Sequence, residues 1–139
     1  MEYTSADYYY DDIRRCLTTT QYDIRRRCSM AYRLFVELMN ETTADAPASF
    51  SGAFSRLHYL HAQRGFSSAL YHAANDFRVR WRRADELTEA ELTDRLPGDL
   101  RALADLVAGL KQAPVPAELA ALLPRHLTAV VSPEPLSEK

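Results

Sequence analysis

The chain has 139 residues, 47% of them apolar, and a formal net charge of −2. That length suits one domain, which buries roughly 68% of its unfolded surface and needs no disulfide or metal staple. No run of apolar residues is long enough to span a bilayer, and the acidic start MEYTSADYYYDD lacks the basic beginning and apolar centre of a signal peptide, so a cytoplasmic protein without a membrane span is expected.

The charge is unevenly placed. Residues 1–12 carry −4, residues 13–83 carry +7 with twelve Arg, and residues 84–139 carry −5. A basic middle between acidic ends either faces a polyanion or pairs internally with carboxylates, and the near balance favours internal pairing. Fifteen of the seventeen basic residues are Arg, which suits bidentate contact with carboxylate or phosphate.

In chain order, residues 5–41 read as one helix, or as two with a kink. Thr4 or Ser5 caps the start, with Asp7 in the first turn. Ile13, Leu17, Ile24, Cys28, Ala31, Phe35 and Leu38 follow at helical steps. The run LTTTQ at 17–21 is the weak point, because successive Thr lose χ1 freedom in a helix. Around it the sequence nearly repeats itself: Asp12-Ile13-Arg14-Arg15-Cys16, then Asp23-Ile24-Arg25-Arg26-Arg27-Cys28. An offset of eleven is close to three helical turns, so the repeat reads as one amphipathic face shown twice rather than as a binding element. On a continuous helix Cys16 and Cys28 stand about 18 Å apart and cannot pair, which leaves two buried thiols. Tyr8, Tyr9 and Tyr10 cover most of a helix circumference, so at least one is exposed or meets a partner.

Residues 40–49 read as a loop around Pro47. A helix over 50–64 turns Phe50, Phe54, Leu57 and Leu60 or His61 inward and ends at Gly65. A third, over 67–84, starts at Ser67 and buries Leu70, Ala73, Ala74, Phe77 and Trp81. Thr88 and Glu91 form a capping box for a short helix, 89–95, that stops at Pro97-Gly98. Asp99 then caps a helix over 99–112, with Leu100, Leu103, Leu106, Val107 and Leu110 inward. Pro116 opens a last short helix that stops at Pro124. Only TAVV, 128–131, is β-branched, and 132–139 is a polar, Pro-containing tail or linker. The expected fold is all-α: a single-domain helical bundle of five or six helices over residues 1–131.

The strongest candidate contact surface is DFRVRWRR, 76–83, where Arg78, Arg80, Arg82 and Arg83 surround Trp81. Arginine for phosphate and an aromatic for a base are the elements of single-strand recognition. The competing reading is structural: cations suit a helix C-terminus, and Trp81 follows Phe77 by four on the core face. No cofactor or metal is expected. The four Gly are scattered, without a phosphate-cradling loop, and His58 and His61, three apart on one helix, have no Asp or Glu beside them. RLHYLH places Arg56 and His61 with four residues between them. That spacing resembles the Arg-x4-6-His motif of HEPN ribonucleases. The resemblance implies a homodimer cleft where Arg56 stabilises phosphate charge and His61 acts as acid or base. FSGAFSRLHYL, 50–60, with LYHAANDFRVRWRRADEL, 70–87, resembles helical regions that precede the motors of bacterial superfamily I helicases and related ATPases. The residues that carry it are Phe54, Arg56, Leu57, Tyr59, Phe77 and Arg78. This second likeness implies an accessory domain of nucleic-acid-processing machinery. The expected function is therefore a non-enzymatic binding or scaffolding module, with a protein partner or self-association and with nucleic acid as a candidate ligand. The alternative is a HEPN-like ribonuclease.

Overall fold

The computed structural model describes residues 4–44, 46, 52–64 and 67–124. Among them are six helices and no strand: α1 (Ser5–Thr18), α2 (Ile24–Thr42), α3 (Ala53–Arg64), α4 (Ser68–Arg82), α5 (Glu89–Lys111) and α6 (Ala117–Ala120), with a 3₁₀ turn at Ala84–Glu86 between α4 and α5. The all-α bundle is as expected. Phe50, Gly65, His126 and residues 128–139 lie outside the described residues, as does the side chain of Phe54.

Residues 5–41 form two helices. Thr19 closes α1 in an extended conformation, and Asp23 caps α2 by accepting a hydrogen bond from the Arg26 amide. The Thr run thus breaks the helix and the chain folds back. Tyr8 reaches Glu37 and Tyr9 reaches Glu41, so α1 and α2 run antiparallel. The reading of the doubled stretch as one helical face is therefore corrected. Asp12 lies within α1, whereas Asp23 is a cap, and the two copies sit on separate helices of a hairpin. Cys16 and Cys28 are buried free thiols within that hairpin, and burial pushes each up to about 11.

A second correction concerns Pro97-Gly98. They do not end a helix; α5 runs unbroken through them for 23 residues. Pro97 removes one backbone donor, a cost the tertiary packing of α5 outweighs. Every residue from Asp99 to Val107 is buried. A helix hidden on all sides is a central one, and α5 packs against α1, α2 and α4. Asp99 is consequently no cap but a buried side chain.

The core follows the expected spacing. Ile13, Ile24, Cys28, Ala31, Phe35, Leu38, Leu57, Leu60, Leu70, Ala74, Phe77, Leu100, Leu103, Leu106, Val107 and Leu110 are all buried. Leu17, Ala73 and Trp81 pack at its margin. Thr4 with Asp7, and Thr88 with Glu91, make reciprocal capping boxes. Of the tyrosine triplet, Tyr9 and Tyr10 are buried and Tyr8 is exposed. The Tyr9 hydroxyl donates to Glu41 Oε1, and Lys111 donates to the other Glu41 oxygen, which ties α1, α2 and α5 together at one end. No helix among the described residues is long and apolar enough to cross a membrane.

Candidate functional site

The C-terminal half of α4 meets the first half of α5 across the 3₁₀ turn. There the surface opens into a groove of about 490 Å³, lined by Asp76, Val79, Arg80, Arg83, Glu86, Leu87, Glu91, Asp94 and Arg95. Two of the five expected contact residues, Arg80 and Arg83, line it. Helical geometry separates the other three. Arg78 turns its Nε to the Asn75 side chain, 3.2 Å away, and Arg82 is exposed outside the groove.

Trp81 faces inward, against α2. Its ring stacks on Tyr32, with centroids 5.6 Å apart and planes at 25°. Tyr32 meets Phe77 edge-on, and Phe77 meets Phe35 in the same way. The four rings join α2 to α4. Trp81 is therefore an aromatic anchor between α4 and α2, on the core face that its spacing from Phe77 predicts.

Arg80 is engaged as well. It forms a two-pronged contact with Asp99 of α5, Nε to Oδ2 at 3.2 Å and Nη2 to Oδ1. Burial pushes the Asp99 carboxyl above the usual carboxylate range, and the Arg80 hydrogen bond and charge hold that shift back. Arg83 bonds Glu86 one helical turn on, at 2.7 Å, but both side chains are more than 60% exposed, so this pair is open to exchange. The groove thus presents four carboxylates and three guanidiniums around Val79 and Leu87. Val79 is one of three exposed large apolar residues among those described.

Of the remaining arginines of the basic middle, Arg14 pairs with Glu118, the side chain of Arg64 lies outside those described, and the other six fall into two groups. Arg25 donates to the Ala84 and Leu87 carbonyls at 2.9 and 2.7 Å, clasping the 3₁₀ turn. Arg27 reaches the Leu17 and Thr19 carbonyls at the C-terminus of α1. Arg56 reaches Thr43 Oγ1 at 2.5 Å, just past the end of α2. These cations add donors at helix ends and turns, where carbonyls keep acceptor capacity beyond the helical ladder. The second group comprises Arg15, Arg26 and Arg33, which stay on the outer face of the α1–α2 hairpin. Arg26 has a local signal in QYDIRRR, where neighbouring Arg on a helix must point different ways, whereas Arg15 and Arg33 come together only when the chain folds back.

Arg56 and His61 both lie on α3, but five residues place them about 140° apart around the helix. Arg56 points to α2, whereas the His61 ring stacks on Tyr71 of α4, centroids 4.4 Å apart. Desolvation, then the neighbouring His58 and His72, lower the His61 pKa and favour its neutral form. The structure does not bring the two side chains together within one chain. Among the described residues no group of three or more His, Cys, Asp or Glu is placed to hold a metal ion.

Comparison with protein-family models, with curated proteins and with solved structures returned no match for this chain.

Proposed function

We propose that the chain is a non-enzymatic helical binding module whose α4–α5 groove docks a basic segment of a protein partner. The mixed lining of the groove supports this. Arg80 is already engaged by Asp99 and Arg83 by Glu86, which leaves exposed Asp76 and Asp94 against exposed Arg95. A segment with Lys or Arg side chains and one apolar residue for Val79 complements that surface. A phosphate backbone meets its carboxylates instead. The resemblance of residues 50–60 and 70–87 to helicase-preceding regions supports a place beside nucleic-acid-processing machinery.

The test is a photo-crosslinking residue at position 79 in the full chain, with adducts identified by mass spectrometry. The expected result is one discrete adduct through a basic segment, lost in Asp76→Lys/Asp94→Lys at unchanged helicity. An adduct that survives that double variant overturns the proposal. The ribonuclease alternative places Arg56 and His61 at a homodimer cleft. It requires RNA cleavage that His61→Ala abolishes and a dimer by light scattering.

A further inference from the structure

We infer that the outer face of the α1–α2 hairpin is a binding surface for single-stranded nucleic acid, independent of the α4–α5 groove. Three hollows run side by side along it. The first, about 680 Å³, is lined by Arg15 and residues 18–22. The second, about 410 Å³, is lined by Tyr22, Arg26, Ser29, Met30 and Arg33. The third, about 170 Å³, continues from Met30 and Arg33 to Tyr8 and Glu37. Tyr22 joins the first to the second, and Met30 and Arg33 join the second to the third, so the three form one track.

The chemistry of the first two hollows is one-sided. Three guanidiniums line them and no carboxylate does. Arg15 holds Asp12 in an exposed i,i+3 pair, which a phosphate can replace. Arg33 is exposed on α2. Arg26 and Arg33 are seven residues apart, two turns of one face and about 10.5 Å along the axis. Met30 lies between them, and the exposed Thr18, Thr20 and Gln21 add polar groups at the loop end. Two carboxylates line the third hollow, Asp12, which pairs with Arg15, and Glu37, which accepts from Tyr8, while Asp23 caps α2.

An aromatic platform is also present. The Arg26 guanidinium lies over the Tyr22 ring, 4.4 Å from its centroid. Such a cation–aromatic pile extends naturally to a stacked base. A hollow of ligand size floored by Tyr22 and Met30 admits a splayed base, whereas a duplex presents only its backbone to it. Charge complementarity and stacking together point to a single strand.

The experiment is fluorescence anisotropy of the full chain with fluorescein-labelled oligo-dT, oligo-rU and a duplex of the same length, over a series of NaCl concentrations. Three phosphate contacts predict a slope of about −2 in log K against log salt, from about −0.7 per contact on single strands. Arg26→Ala/Arg33→Ala should reduce that slope to about −0.7. Tyr22→Ala should weaken binding about tenfold at unchanged slope, within the range for loss of one stacked base. Arg14→Ala, on another face, should change neither. All four substituted side chains are at least partly exposed, and circular dichroism checks the fold. Absence of binding at low salt, binding unaffected by the double variant, or a duplex bound as tightly as the single strands each overturns the inference.

Discussion

The α1–α2 hairpin face and the end of α4 are both arginine-rich, and they use the residue in opposite ways. At the end of α4, Arg80 is pinned by Asp99, Arg83 shares an exposed and exchangeable pair with Glu86, and further acids line the groove. On the hairpin face, Arg26 and Arg33 project beside Tyr22 into a hollow without a carboxylate, and Asp12 and Glu37 line the adjoining hollow that Arg33 shares with Arg15. Arginine density in a sequence therefore does not locate an anion site. Whether a guanidinium is available depends on what the fold brings opposite it. Asp99 stands 19 residues beyond Arg80, and no local pattern announces the pair.

Removing Asp99 tests that contrast most severely. Asp99→Ala leaves the Arg80 guanidinium against the core without its acceptor and should lower stability by about 2–3 kcal/mol in chemical denaturation. If the loss is negligible, the α4 arginines are as free as those of the hairpin. Arg25→Ala removes two donors from the turn that joins α4 to α5, for an expected loss of about 1–2 kcal/mol. Gly98→Ala should work the other way. A Cβ there meets nothing within 4 Å, so a gain of about 0.5–1 kcal/mol in helix stability is expected.

The Lys111 and Tyr9 hydrogen bonds hold the Glu41 carboxyl below its ordinary range. The stability this contributes is complete above the unfolded Glu value and is lost as pH falls through the depressed folded one. Because Glu41 is largely exposed, the effect should stay below about 1 kcal/mol. Glu41→Gln should remove that part of the acid limb in melts recorded against pH. Smallest of all, Arg26→Ala and Arg33→Ala should each change stability by less than about 0.5 kcal/mol. A larger loss from either would mean that the hairpin arginines too are structural.

Local signals in the sequence carried far, and distant ones did not. The capping boxes at Thr4 and Thr88 involve residues three apart, so the sequence displays them whole. The apolar spacing of α2 and α5 likewise announced Phe35, Leu103 and Val107. The Pro97-Gly98 pair misled because its intrinsic cost is local, whereas the compensation is the burial of Asp99 through Val107 by three other helices. Trp81 was legible from its spacing to Phe77, but its partner was not. Its neighbours in sequence are Arg80 and Arg82, but its partner in space is Tyr32. The hairpin track was hidden because the chain reversal at residues 19–23 creates it. Read as one rod, Arg15 and Arg33 lie far apart; folded back, they line the same hollow.

The sequestered position of α5 also bears on how the molecule is made. During synthesis α1 to α4 emerge first, with the apolar stripes of Ile13, Phe35 and Phe77 awaiting a rod that follows them. Until Leu110 clears the ribosome, those stripes have no central helix to close on, and the nascent chain is at its most sticky. A released fragment ending before residue 99 should therefore bind holdase chaperones, and one extended past residue 124 should not.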